Sequence, residues 1–247
     1  SCYREQGKSS EAIAAYKAGI AASPNTPKDD LKGLKYELGG YYRERNDWNN
    51  GIELYKSLIQ EYPEDARDNK FNIAECYMAK KDYDNAMAAY EDITRSYPGA
   101  ALAAYRSIGA YYREQRKQEE AINVYKEGIA SVPPSIPSDD YDLRCIRIEL
   151  AECYKEANDW DNAITAYMDL VSKYPEEAEN FKLEIAGCYS SKQDYDTAIS
   201  LYKELTKGSP RTAMVAWFFT GWCYQCQDGW VDAITAYKAV MTSAPAD

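Results

Sequence analysis

No histidine occurs among the 247 residues. Its absence removes the side chain that most often serves as a general base near neutral pH, and also the commonest metal ligand. Few enzyme mechanisms survive both losses, and we expect no enzyme here. Basic residues are also scarce, with 29 lysines and arginines against 40 acids and a formal charge of −11. That field repels phosphate backbones and anionic lipid surfaces, so nucleic acid is not an expected partner. Although 45% of the chain is apolar, no apolar run reaches the roughly 20 residues that a membrane-spanning helix needs. The first residues, Ser1-Cys2-Tyr3-Arg4, include no methionine and open no signal segment. The pattern below places them inside a helix, as expected of a processed or truncated chain.

What the sequence does contain is one pattern many times over. Between Phe71 and Pro98, Ile73, Ala74 and Tyr77 mark one helical face and Ala86, Tyr90 and Ile93 mark another. The polar stretch Lys80-Lys81-Asp82-Tyr83-Asp84-Asn85 between them predicts a tight turn, making the unit an antiparallel helix pair. The small residue of the second helix recurs at Ala12, Gly51, Ala86, Ala121, Ala163, Ala198 and Ala233, with spacings of 39, 35, 35, 42, 35 and 35. Four residues later stands a tyrosine each time: Tyr16, Tyr55, Tyr90, Tyr125, Tyr167, Tyr202 and Tyr237. Eight further on is a proline: Pro24, Pro63, Pro98, Pro133, Pro175, Pro210 and Pro245. Nine residues before each small residue sits another tyrosine: Tyr3, Tyr42, Tyr77, Tyr112, Tyr154, Tyr189 and Tyr224.

These registers resemble tetratricopeptide repeats, whose signature is an aromatic, a leucine, a glycine and a tyrosine in the first helix, an alanine and an aromatic in the second, and a closing proline. Leu38, Gly39, Tyr42, Gly51, Tyr55 and Pro63 match it in the first complete copy, and Trp217, Gly221, Tyr224, Ala233, Tyr237 and Pro245 in the sixth. Two departures stand out. The first-helix aromatic is replaced by Lys35, Lys70, Arg147 and Lys182, and the late small residue of the second helix by Leu58, Ile93, Leu170 and Leu205. The 35-residue step ending in Tyr-Pro is similar to repeats of bacterial cell-envelope proteins. The resemblance implies an all-α, right-handed superhelical solenoid of antiparallel helix pairs. We expect it to span residues 1–247 as a single solenoid: a partial repeat over 1–24 and complete repeats over about 31–63, 66–98, 101–133, 143–175, 178–210 and 213–245.

A longer period lies above the short one. Asn46-Asp47-Trp48 returns as Asn158-Asp159-Trp160, and Asp82-Tyr83-Asp84 as Asp194-Tyr195-Asp196, a module of three helix pairs and 112 residues. The wider spacings coincide with proline-rich stretches at Ser23–Asp30 and Val132–Asp140, where proline stops one helix and Thr26 or Ser138 is placed to start the next. A start inside a helix and an end without a polar capping helix lead to the expectation that protein is missing at both ends, or that copies stack head to tail.

Residues that could carry chemistry find structural explanations. Cys223-Tyr224-Gln225-Cys226 is a lone pair of thiols within a helix, lacking the further ligands of a zinc site. Cys2, Cys76, Cys153, Cys188 and Cys223 all precede the first-helix tyrosine, a packing position that suits a small apolar residue. Most of the 24 tyrosines belong to the registers, and Trp48, Tyr83, Trp160, Tyr195 and Trp230 share a position expected to brace the turn. No catalytic residue, cofactor or metal site is assigned. Unpaired cysteines point to a reducing compartment such as the cytoplasm, and the envelope-type resemblance to the periplasm, which leaves localisation open.

In the family, first-helix residues line an inner groove that binds peptides or helices. Carried over by register, Tyr36, Arg43, Phe71, Met78, Arg106 and Arg113 line the earlier part, with Glu44, Glu75 and Glu114 among them. Ile148, Leu183, Phe218 and Trp222 line the later and more apolar part, together with Glu152, Lys155, Gly187, Ser190, Val215 and Gln225. The lysine and asparagine with which chaperone-binding relatives hold a terminal carboxylate are absent: pairs such as Tyr36 and Gly40, or Phe71 and Glu75, occupy those registers. The expected function is that of a non-enzymatic protein-interaction scaffold, with Phe218 and Trp222 as apolar anchors and the arginines setting charge register. Two alternatives stay open. Phe218 and Trp222 pack on a further repeat, or the chain is a structural subunit of a head-to-tail array.

Overall fold

Each apolar stripe becomes an α-helix in the computed structural model, which describes residues 9–21, 28–133, 136–137 and 140–243. Expectations resting on Cys2, Tyr3, Pro24, Thr26, Ser138 and Pro245 lie outside these residues. The described residues form thirteen α-helices and no strand. They are α1 (Ser9–Ala21), α2 (Lys28–Glu44), α3 (Trp48–Glu61), α4 (Ala66–Lys80), α5 (Tyr83–Ser96), α6 (Ala101–Glu114) and α7 (Gln118–Ala130). There follow α8 (Tyr141–Glu156), α9 (Trp160–Lys173), α10 (Ala178–Ser191), α11 (Tyr195–Leu205), α12 (Pro210–Cys226) and α13 (Trp230–Ser243). The chain divides into two compact units, residues 1–104 and 105–247.

In both units the second-helix register forms the core. Ala86, Ala121, Ala163 and Ala198 are completely buried, and Tyr55, Tyr90, Tyr125, Tyr167 and Tyr202 nearly so. The small residue lets the helices of a pair approach, and the tyrosine ring fills the space one turn later. The large residues at the late register belong to the same core: Leu58, Ile93 and Leu170 are fully buried, each a contribution of about 1.5–3 kcal/mol by removal from water. In the first unit Ile52, Tyr55, Leu58, Tyr62, Ile73 and Cys76 form one cluster. In the second, one cluster surrounds Tyr167 and Phe181 and another surrounds Tyr202 and Ala216.

The turn inside each pair is shorter than its polar stretch. α4 continues to Lys80, Lys81 adopts a left-handed conformation with φ 65°, and Asp82 leads straight into α5. Asn46, Arg116, Asn158, Gln193 and Asp228 adopt the same conformation at the same register. Asp159 and Asp194 then cap the second helix, accepting hydrogen bonds from the backbone of Asn162 and Thr197. The register aromatics open these helices, and Trp48, Trp160 and Tyr195 pack against the cores.

The proline of the motif serves the following helix more than the preceding one. Pro63, Pro98 and Pro175 each begin a short 3-10 turn that runs into the next first helix, and Pro210 is the first residue of α12. These are positions where a missing N–H is harmless and a fixed φ helps. After the longer proline-rich stretch, Asp140 caps α8 by accepting from the backbone of Leu143 at 3.0 Å. Three of the four cations that replace the first-helix aromatic act within their own pairs. Lys35 pairs with Glu61, Lys70 reaches Asp92 at 2.6 Å, and Arg147 donates to the Tyr174 hydroxyl at 3.1 Å. A long stem with a charged tip thus covers the surface that an aromatic ring would cover.

Candidate functional site

Within each unit a polar seam joins consecutive first helices, and several of the residues expected to line a groove lie along it. In the first unit the Tyr36 hydroxyl donates to Asp65 at 3.2 Å and accepts from the side chain of Asn69 at 2.9 Å, linking α2 to α4. Two turns further along α2, Arg43 donates to Asn72 at 2.9 Å and to Glu75 at 2.6 Å. Phe71 stands edge-on to Tyr90, with ring centroids 6.2 Å apart, and Met78 is half-buried.

The second unit repeats the seam with more charge. Arg106 on α6 bridges Asp142 at 2.7 Å and Glu149 at 3.0 Å on α8. Arg113 bridges Glu152 at 3.0 Å and Glu156, and Lys155 carries the seam to Glu184 on α10. Arg43, Arg106 and Arg113 therefore already hold carboxylates of this chain. Their first role is to fix the stacking of first helices, and a partner would have to compete for them.

The apolar positions of the second unit differ in exposure. Ile148 is half-buried against the cluster around Tyr167, and Leu183 against the cluster around Tyr202. Phe218 and Trp222 are 49% and 41% exposed. Phe218 packs on Phe219 and Tyr237 at centroid distances of 5.4 and 5.9 Å, and Trp222 meets Tyr195 edge-on at 6.1 Å. The aromatic rings are thus held by their neighbours while about half of each remains open to solvent.

A cavity of about 370 Å³ opens between α8, α9 and α10, with Ile148, Tyr167 and Phe181 as its apolar walls and Glu152, Lys155, Glu156, Asn180 and Glu184 around them. Glu156, Tyr167, Asn180, Phe181 and Glu184 were not among the residues expected to line the face. Glu184 has the register of Glu149, one position beside the expected stripe. The signal for Tyr167 was the choice of tyrosine over phenylalanine at that register in all seven copies. Burial pushes the Tyr167 hydroxyl above the ordinary tyrosine range, and Glu184 and Glu152 add to the shift.

The register cysteines are core residues. Cys76, Cys153, Cys188 and Cys223 are fully buried, and burial pushes the Cys153 thiol up to about 12 and that of Cys188 to about 11. Cys223 lies 3.3 Å from the Ser190 hydroxyl, and Cys226, nearly one turn later on α12, is exposed.

Two sequence profiles, each described as a tetratricopeptide repeat, match residues 42–108 and 149–177. Among solved structures, the chain is similar to the C-terminal part of a TPR repeat-containing protein from Cytophaga hutchinsonii, with a TM-score of 0.68 over 99% of this chain and 94% of that one, at 15% identity. It is also similar to BtubC (BKLC) from P. vanneervenii, with a TM-score of 0.60 over 81% of this chain and 90% of that one, at 13% identity. No curated protein sequence matches it. Likeness at such identities carries the fold alone: an all-α, right-handed superhelical solenoid of antiparallel helix pairs.

Proposed function

We propose that this chain, which belongs to the tetratricopeptide-repeat family, is a non-enzymatic scaffold that holds an extended peptide or a helix of a partner protein against its first-helix face. The observation that carries the reading is the pair Phe218 and Trp222, two large aromatics at first-helix register positions that keep about half their surface in contact with water. Desolvating such rings is a main source of affinity at protein interfaces, where aromatic anchors dominate. The seam favours a fixed surface, since its bridges hold neighbouring first helices before a partner arrives, which lowers the ordering cost of binding.

The test is a displayed peptide library panned on the full chain. Wild-type protein is expected to enrich peptides that Trp222→Ala no longer retains. Equal retention by the variant would overturn the assignment of the anchor.

A second reading has its own observation. Ile234 on α13 is 54% exposed, whereas Ile199 at the same register of α11 is 6% exposed beneath the first helix of the next pair. A helix from another copy laid on this face would bury it in the same way and make the chain a subunit of a head-to-tail array. Light scattering after size separation, across a concentration series, decides this: growth supports the array, and a monomer throughout removes it.

A further inference from the structure

The cavity between α8, α9 and α10 has a chemistry that its structural role does not exhaust. Its rim carries Glu152, Glu156 and Glu184, and the cations next to them are Lys155 and Arg113. One carboxylate is in excess. Lys155 shows what the wall accepts: its ammonium pairs with Glu184 and lies 5.8 Å from the centre of the Tyr167 ring. Tyr167 is 2% exposed, borders the cavity, and its hydroxyl has no hydrogen-bond partner among the described residues. Unlike the sealed hydroxyl of Tyr125, that of Tyr167 opens onto this space of about 370 Å³ and can take a partner there.

We propose that this cavity takes the side chain of a lysine or arginine from the bound peptide, with its aliphatic stem against Ile148 and Phe181 and its charged end between Glu152, Glu184 and the Tyr167 hydroxyl. The proposal rests on the peptide-binding reading above and names the chemistry of one subsite. A long side chain fits where a small cation does not, because two of the walls are apolar and reward a hydrocarbon stem. An acidic side chain would meet the surplus carboxylate and be rejected. The hydroxyl, which faces the cavity, can accept from the ammonium or guanidinium.

The probe is a set of immobilised decapeptide pools, each with one fixed residue at one position and the rest randomised, exposed to the full chain at about 0.15 M salt, where diffuse attraction fades beyond about 8 Å. Pools fixed as lysine or arginine are expected to retain about tenfold more protein than pools fixed as norleucine, the gain of one charge-assisted contact. Glu184→Gln and Tyr167→Phe should each weaken that preference, and Glu119→Gln, the same charge loss at an exposed site on α7, should leave it intact. Melting curves confirm that each variant is folded, and Tyr167→Phe serves if Glu184→Gln is not. Basic pools that do no better than norleucine, or a preference that survives Glu184→Gln and Tyr167→Phe as fully as Glu119→Gln, would overturn the subsite and leave the groove standing. Retention of no pool at all would overturn the groove itself.

Discussion

At the level of single side chains, the closest approach between helices is set by what faces the second-helix tyrosine. Gly39, Ala74, Gly109, Ala151, Ala186 and Gly221 occupy one register on the first helices. Where that residue is glycine the ring moves in: a Cβ added to Gly109 would lie 2.1 Å from a ring carbon of Tyr125. Gly109→Ala is therefore expected to cost about 1–3 kcal/mol through overpacking, measured by urea denaturation. Gly187→Ala is its counterpart, since the added carbon would meet only the Tyr202 hydroxyl at 3.7 Å. Relief of glycine's backbone freedom should then stabilise by about 0.5–1 kcal/mol. Opposite signs in two glycine-to-alanine changes would separate packing from helix propensity; equal signs would refute the account.

Each helix pair turns on one left-handed residue, and the six copies differ in how well the side chain suits it. Asn46, Asn158 and Asp228 tolerate positive φ, whereas Lys81, Arg116 and Gln193 adopt it at a cost. In the third pair Arg116 is followed by Lys117, whose side chain, unlike those of Asp159 and Asp194 in later pairs, supplies no cap to the second helix. Arg116→Gly is expected to stabilise the protein by about 0.5–1 kcal/mol, because glycine removes the conformational strain and gives back part of the gain as backbone entropy. Thermal melting of the variant checks this, and an unchanged or lower midpoint would mean that the turn is held by its neighbours without strain.

For the molecule as a whole, pH sets limits on both sides. Hydrogen bonds from Lys32 and Lys70 hold the Asp65 and Asp92 carboxyls below the ordinary range. A depressed folded value contributes stability above the unfolded value of about 3.9 and loses it as the pH falls further. Burial instead raises the Cys153 and Cys188 thiols to about 12 and about 11. Their stabilisation is complete below the unfolded value of about 8.5 and is lost as pH rises through the folded values, because only the unfolded chain releases those protons easily. Midpoints of denaturation are therefore expected to plateau between about pH 4 and 8 and to fall on either side. Replacing Cys153 and Cys188 by alanine should flatten the alkaline fall, whatever it does to the plateau.

Periodicity alone was enough to read the helix pairs, their 35-residue step and the wider step of 42, because burying one face of a helix demands a small residue, a tyrosine and a proline at set intervals, and seven copies repeat them. It also placed the register cysteines in the core for the right reason. What it could not carry was the pairing between repeats. Arg106 and Glu149 are 43 residues apart, and Lys155 and Glu184 only 29. Which acid a cation reaches depends on the stagger of one first helix against the next, a property of packed coordinates that no local spacing encodes. The cavity beside Tyr167 is unread for the same reason. Its walls come from three helices, and the tyrosine that looks like scaffold along the chain turns out in space to be one of them.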